Sequence, residues 1–119
     1  MFRFEKLEVW QRAVDLAGEV YSLTRAFPGD ERFGLTAQMR RGAVSISSNI
    51  AEGSSRSSDA DFARFIEIGY RSLMEVVSQS QIARRQSFTD EDSVKSLYQK
   101  AEEVARMLSG LRGSLLQTR

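Results

Sequence analysis

Arginine is the residue type that offers the clearest chemistry in this sequence. The chain of 119 residues has fourteen arginines and only three lysines, and the four arginines between residues 32 and 56 are accompanied by a single acid, Glu52. A guanidinium group binds phosphates or carboxylates through two parallel hydrogen bonds and also stacks on bases. The segment therefore predicts either phosphate contacts or ion pairs with acids on other helices or subunits.

The arginines that lie off the expected core positions are the candidates for contacting a nucleic acid. They are Arg40, Arg56, Arg64 and Arg71. The last two alternate with Glu67 and Glu75 at spacings of three and four residues, so their charges can instead pair along one helix. The same residues therefore also fit an ordinary solvated helix face.

Arg41 and Glu52 form a second kind of candidate. They are eleven positions apart on one helical face, about 16 Å along the axis, so they cannot pair with each other. We expect both to be partly buried, each with a partner on another helix or subunit. Replacing either alone would destabilise the protein by ~3–5 kcal/mol if its pair is buried and by under ~1 kcal/mol if it is exposed.

Composition excludes most familiar enzyme chemistry. The chain has no Cys and no His, which removes thiolate nucleophiles, imidazole bases and the usual zinc and haem ligands. Its glycines form neither of the phosphate-binding loop patterns. A carboxylate-only metal site is conceivable, but Glu102 and Glu103 point about 100° apart, and the acids at positions 90–92 are better explained as a helix start. We expect no enzymatic activity, no cofactor and no metal.

Charge and hydropathy limit the partners and the location. The formal net charge is +1, so no field of the whole protein favours nucleic acid, and any electrostatic function needs local clustering. No more than two consecutive residues belong to the hydrophobic set, which excludes a signal or membrane-spanning stretch. We expect a cytoplasmic protein without a membrane partner.

The elements that must position these residues are helices. The first is predicted from about Leu7 to Ala26, with its main apolar line at positions 7, 10, 14, 17 and 21. Positions 13, 16, 20 and 23 widen the apolar arc to about half of the circumference. Because this exceeds what one core needs, we expect an oligomer with several times the mass of one chain.

A second helix is predicted from about Arg32 to Glu52, with Asp30 as its N-cap and Gly53 directly after its end. Small residues at positions 42, 43, 45, 47 and 48 fit either a closely packed neighbour or simple exposure. A polar connector follows at residues 54–58.

The third and fourth helices complete the chain. The third runs from Ser58 or Asp59, one of which caps it, to about residue 85. The fourth begins with Thr89 as its N-cap, before three acids that favour a helix N-terminus, and continues to the C-terminus, where Gly110 and Gly113 should fray it.

Four amphipathic helices joined by short connectors predict an all-α fold. We expect one domain over residues 1–119, an antiparallel up-down-up-down four-helix bundle. A long two-hairpin coiled coil is the alternative, but the apolar stripes are too wide for a two-stranded contact.

Several motifs add a resemblance to a known family. They are Phe4-x-x-Leu7-x-Val9-Trp10-Gln11-x-Ala13, Phe27-Pro28-x-x-Glu31-x-Phe33-Gly34-Leu35 and Asn49-Ile50-Ala51-Glu52-Gly53. The sequence thereby resembles the four-helix-bundle proteins encoded in 23S rRNA intervening sequences, and the match continues through Phe62 and Ser72-Leu73. Gly42, Gly69 and Arg71 depart from the family, which usually has Ala, Ala and Gly there.

The resemblance implies a small cytoplasmic bacterial protein that assembles into a ring-like homopentamer. Similar accessory proteins of diversity-generating retroelements associate with a reverse transcriptase and with nucleic acid. The partners implied are further copies of the chain, RNA or DNA, and a reverse transcriptase or ribosomal component. Arg40, Arg41, Asn49 and Glu52 match the family's polar signature, which fits either ligand binding or subunit contacts.

Two functions remain as alternatives. The first is a non-enzymatic nucleic-acid-associated protein whose ring repeats a weak basic patch, a repetition that raises affinity by ~10²–10⁴. The second is a structural or protein-interaction scaffold whose arginines are internal. Salt-dependent RNA binding distinguishes the two, since only the first binds phosphates.

Overall fold

The fold is all-α. A computed structural model describes residues 1–117, which contain four α-helices, two short 3-10 helices and no strand. The α-helices are α1 (Glu8–Thr24), α2 (Leu35–Ser54), α3 (Asp59–Arg85) and α4 (Glu91–Leu115), and the 3-10 helices are Arg3–Lys6 and Gly29–Glu31. Among these described residues, none of the helices has the length and apolarity needed to cross a membrane.

Each α-helix packs against two others, so the four surround one core in the order α1, α2, α3, α4. Gly42 lies level with Val76 and Gly53 with Phe62 across the α2–α3 interface. The folded chain measures 50 × 21 × 21 Å, and its long dimension is about the length of the longest helix plus its loops.

The buried residues of α1 are not the ones that the sequence predicted as its main apolar line. Val9, Ala13, Leu16, Val20 and Leu23 are buried, which are mostly the residues expected only to widen the arc. Val14 and Tyr21, expected on the main line, are instead exposed. The rotation of α1 is set by its two neighbours, because Arg12 and Glu19 pair with α4 on one flank while α2 covers the other.

Two of the predicted helix starts need correction. Asp30 does not cap α2, because it lies within the 3-10 helix Gly29–Glu31 and α2 begins only at Leu35. The carboxylate of Glu31 caps it instead, since its Oε1 accepts a hydrogen bond from the Leu35 N–H at 3.0 Å. The Phe-Pro-x-x-Glu-x-Phe-Gly-Leu motif is thus a helix-starting turn.

At α4 the N-cap is Asp90 and not Thr89. Its Oδ1 accepts the Ser93 N–H at 2.7 Å, and the hydrogen bonds from the Ser93 backbone and hydroxyl hold the pKa of Asp90 below its ordinary value of 3.8. The prediction for α3 is confirmed, because Ser58 Oγ accepts the Asp61 N–H at 3.1 Å.

The predictions made for the glycines at the ends of α2 and α4 need correction. Gly53 does not follow α2 but lies buried inside its last turn, where an added Cβ would come within 2.7 Å of Phe62 Cδ1 and 2.8 Å of Phe65 Cβ. Gly110 and Gly113 do not fray α4, which continues to Leu115. The final predicted residues, 118 and 119, lie outside the described part of the chain.

Close packing of α2 on α3 is confirmed. A Cβ on Gly42 would lie 2.8 Å from Val76 Cγ2, so the glycine admits that side chain against the α2 backbone. Ser45 Oγ and Ser72 Oγ are 2.9 Å apart and share a hydrogen bond. Gly42 and Ser45 therefore serve contact with α3 and Ala43 is buried in the core, whereas Ser48 is exposed.

Candidate nucleic-acid interface

Arg56 lies in the connector between α2 and α3 and stacks on an aromatic ring. Its guanidinium carbon is 4.6 Å from the centroid of Phe65, which is in the second turn of α3. The Arg56 backbone N–H donates to the carbonyl of Gly53, which holds the connector in a tight turn. Stacking fixes the plane of the guanidinium group while leaving its N–H edge available to an anion.

Arg3 reaches the same end of the molecule, and sequence reasoning missed it. Its guanidinium carbon is 5.2 Å from the centroid of Phe62, and Nη1 donates to the carbonyl of Ser54 at 3.3 Å. This contact places a positive charge at the C-terminus of α2, where the helix dipole favours cations. The alternation Phe2-Arg3-Phe4 marked Arg3 as a basic residue between aromatic ones. No pattern of neighbouring residues, however, predicts that residue 3 lies beside residue 54.

The arrangement therefore holds two guanidinium groups on neighbouring rings. Phe62 and Phe65 are three residues apart on α3, so they lie on adjacent positions of one face. Together with the exposed Arg64, the arginines Arg3 and Arg56 form what we call the basic end of the molecule. Groups of this kind bind phosphate oxygens without reading base sequence.

Arg64 and Arg71 are exposed, as predicted, but neither pairs with Glu67 or Glu75 as the spacing suggested. Arg64 lies 3.8 Å from Asp61 and not beside Glu67, whose carboxylate is 3.6 Å from Arg112 on α4. Arg71 has no ion pair within residues 1–117. It lies two turns beyond Arg64, about 10 Å along the axis, and so extends the basic end along α3.

Arg40 is separated from this group. It is half-buried, its Nε donates to Thr24 Oγ1 at 2.9 Å, and its guanidinium carbon lies 4.6 Å from the Tyr21 ring centroid. Fourteen residues of α2, about 21 Å along the axis, separate it from the end of the helix at Ser54, and Arg56 lies beyond that end. Its charge is used to hold the C-terminal end of α1 against α2.

The polar signature residues have different surroundings. Arg41 and Glu52 are exposed in the single chain, and none of the ion pairs among residues 1–117 includes either, so neither has a partner on another helix; burial and pairing against another subunit stay a prediction. Both lie on the exposed side of α2, opposite its buried residues. Asn49 is half-buried and donates to the Ser45 carbonyl at 2.8 Å, beside the Ser45–Ser72 contact.

A second group of charged side chains lies between α1 and α4. Arg12 pairs with both Glu8 and Glu103, and Lys100 Nζ lies 2.6 Å from Glu19 Oε2. That hydrogen bond and the attraction of the Glu19 charge raise the pKa of Lys100 above its ordinary value of 10.5. Within residues 1–117, no three acidic side chains gather closely enough to hold a metal ion.

Comparison with known proteins agrees with this architecture. A crystal structure of a protein with unknown function from the S23 ribosomal protein family of Bacteroides thetaiotaomicron has the same fold, with a TM-score of 0.80 and 20% identity over 87% of this chain and 94% of that one. No curated protein matches significantly. The profile of one family matches residues 5–110, nearly the whole chain and all three motifs, and this chain therefore belongs to the family of 23S rRNA-intervening sequence proteins.

Proposed function

We propose that this protein is a non-enzymatic homo-oligomer that binds nucleic-acid backbones weakly through its basic end. The observation that carries the proposal is the pair of stacked arginines, Arg3 on Phe62 and Arg56 on Phe65. Stacking restricts each guanidinium group in advance, so less side-chain entropy is lost when a phosphate binds.

We propose that each chain forms an antiparallel up-down-up-down bundle and that copies of the bundle are arranged in a ring. Five copies are proposed because the family resemblance implies a homopentamer. Where two helices touch, residue numbers increase along one helix while the numbers of the contacting residues decrease along its neighbour. This supports the antiparallel arrangement. A ring presents the basic end once per copy, and binding several phosphates together raises affinity by ~10²–10⁴ over one site. A cytoplasmic RNA or DNA, held beside a reverse transcriptase or a ribosomal component, is the partner that suits such a surface.

The test is the salt dependence of binding to a labelled single-stranded RNA, beginning at ~50 mM salt. Each phosphate contact contributes a slope of about −0.7 to the plot of log affinity against log salt concentration. We expect Arg56→Glu combined with Arg64→Glu to weaken binding equally for all RNA sequences and to flatten this slope. The helical content and the oligomer mass should stay unchanged, because both residues are exposed.

A matched control is Arg84→Glu combined with Arg85→Glu. This double variant makes the same change in net charge at the opposite end of α3. It should bind RNA with nearly the affinity of the unaltered protein. Equal losses in the two double variants would show a general charge effect and contradict a site at the basic end.

The alternative function is a scaffold that binds no nucleic acid. The observation favouring it is that two predicted phosphate ligands have partners inside the chain, Arg40 on Thr24 and Arg64 on Asp61. Undetectable RNA and DNA binding by the unaltered oligomer at ~50 mM salt would establish this alternative, since phosphate contacts are strongest at low salt.

A further inference from the structure

Phe2 is a large apolar residue that the fold leaves in contact with solvent, since it is 73% exposed. Its backbone is nevertheless held in place. The Phe2 N–H donates to Glu5 Oε1 at 2.9 Å, and the Glu5 N–H donates to the Phe2 carbonyl at 3.1 Å. Gln11 on α1 donates through Nε2 to the Glu5 carbonyl at 3.0 Å, which ties this short 3-10 helix to the bundle. The exposed ring is therefore carried by an anchored backbone.

Phe2 is the outermost of three aromatic rings that contact one another in sequence. Its ring is nearly parallel to that of Phe4, with 4° between the two planes and 6.0 Å between the centroids. The Phe4 ring meets Trp10 on α1 edge to face, with 4.9 Å between the centroids. We call these three rings the aromatic row. Phe4 and Trp10 are half-buried, so the row presents its free ring surface at Phe2.

The aromatic row adjoins the basic end of the molecule. Arg3 follows Phe2 directly in the chain, and its guanidinium group lies over the Phe62 ring. Arg56 lies over the neighbouring ring of Phe65. Because each nucleotide carries both a phosphate and a base, a strand whose phosphates contact these arginines brings its bases to the adjacent Phe2 ring. Cationic side chains interleaved with aromatic rings are typical of surfaces that bind single strands.

We propose that the Phe2 ring stacks on a base of a single-stranded nucleic acid bound at the basic end. This inference rests on the proposed function and specifies its ligand as a strand with unpaired bases. Stacking tolerates any sequence, because every base has an aromatic face. In a duplex these faces are covered by the neighbouring base pairs, so only the phosphate contacts remain. Single strands of RNA and DNA share the chemistry that Phe2 recognises.

The test combines a Phe2→Ala variant with a strand that has no bases. Two labelled DNA single strands of equal length are compared by filter binding at low salt, one with its bases and the other abasic at every position. The unaltered protein should bind the strand with bases about 5- to 100-fold more tightly, as expected for one stacked base. Phe2→Ala should bind both strands with the affinity that the unaltered protein has for the abasic strand.

Two further ligands and one further variant sharpen this result. An RNA strand of the same sequence should show the same loss on Phe2→Ala, and a loss confined to RNA or to DNA would place the contact on the sugar and contradict stacking. Duplex binding should be unchanged by Phe2→Ala. Phe2→Tyr should restore tight binding of the strand with bases, because tyrosine presents a similar ring.

Failure of this inference is distinguishable from failure of the proposed function. If the unaltered protein binds the two DNA strands equally, or if Phe2→Ala weakens binding to both strands by the same factor, no base stacks on Phe2. The phosphate contacts of the basic end would still stand in either case. Undetectable binding of every strand by the unaltered protein would overturn both.

Phe33→Ala is the matched control for removing an exposed phenylalanine. Phe33 is 88% exposed and lies 5.4 Å from the guanidinium carbon of Arg32, but it precedes α2, at the opposite end of the bundle from Arg56. Asp30 and Glu31 lie in the same turn, and their charges repel phosphates. Phe33→Ala should leave the affinities for both strands unchanged. A loss equal to that of Phe2→Ala would contradict stacking at the basic end.

The mass of the Phe2→Ala variant distinguishes a base from a second copy of the chain as the group that covers the ring. Light scattering should give the mass of the unaltered protein, and circular dichroism the same helical content, since Phe2 lies outside the buried core. A smaller mass would show that Phe2 packs against another copy and would overturn the proposal.

Discussion

The α2–α3 and α1–α4 interfaces join neighbouring helices by different physical means. Between α2 and α3, backbones and side chains approach until a Cβ has no room, as at Gly42 and Gly53. Between α1 and α4, the contacts at the rim are charged, and cavities of about 420 and 250 Å³ follow the junction. Gly18 on α1 has no atom within 4 Å of where a Cβ would be.

The difference shows that glycine has different structural effects at different places in this fold. Glycine on α2 is required by shape, because interiors are packed too densely to accept another carbon atom. Glycine on α1 or α4 only weakens its helix. The α2–α3 interface therefore depends on the exact volume of its side chains, and the α1–α4 interface on charge that salt can screen.

The largest expected effect is at Gly53. Gly53→Ala should lower the free energy of unfolding by about 1–3 kcal/mol, because its Cβ would overlap Phe62 and Phe65, neither of which can move without disturbing α3. Urea-induced unfolding followed by circular dichroism measures this loss. Gly18→Ala is the control and should instead gain stability, so a similar loss at both positions would remove the contrast between the interfaces.

Gly69→Ala sharpens the comparison inside the tight interface itself. The nearest atoms to its added Cβ are Ile46 O at 3.5 Å and Asn49 Cβ at 3.6 Å, which are ordinary contacts. We expect a gain of about 0.5–1 kcal/mol from improved helix propensity. The open position Gly110 should give a similar gain when replaced by Ala. A loss at Gly69 alone, in the same urea experiment, would mean that the whole α2–α3 interface excludes a methyl group.

The smallest effect is expected at the charged interface. Lys100→Gln should lower stability by about 0.2–1 kcal/mol, since the Lys100 side chain is 53% exposed even though its partner Glu19 is only 16% exposed. Because Glu19 raises the pKa of Lys100, its stabilisation is complete below pH ~10 and is lost as the pH rises through the raised value. Unfolding at low and high salt measures the effect.

Lys95→Gln provides the control for this charge removal, because Lys95 is exposed on the same helix and belongs to no ion pair of residues 1–117. It should change stability less than Lys100→Gln at low salt. A Lys100→Gln loss that is the same at high salt would show that packing, and not charge, holds α1 to α4.

Much of the fold could be predicted because helix formation is governed by local spacing. The four helices and a cap at Ser58 or Asp59 follow from patterns within a few turns of chain, whereas the small residues of α2 fitted either contact or exposure. Predictions failed where two elements meet. Asp30 and Thr89 were as plausible as caps as Glu31 and Asp90, and only the turn geometry distinguishes them.

The candidate site was predictable only in part. Arg56, Arg64 and Arg71 could be recognised as exposed because apolar periodicity marks which side of a helix is buried. Arg3 could not, since its partner Ser54 is 51 residues away. Arg40 and Arg56 belong to one basic segment of sequence, but the helix between them places Arg40 about 21 Å from the end of α2, beyond which Arg56 lies.

The sequence by itself determined the number of helices, the absence of thiol and imidazole chemistry, and an excess of apolar surface on α1. Tertiary structure alone decided which line of α1 is buried and why Gly53 has no side chain. It also decided which arginines stand beside one another. The physical reason is that periodicity records how much of a helix is apolar, whereas its rotation and depth depend on neighbours that are distant in sequence.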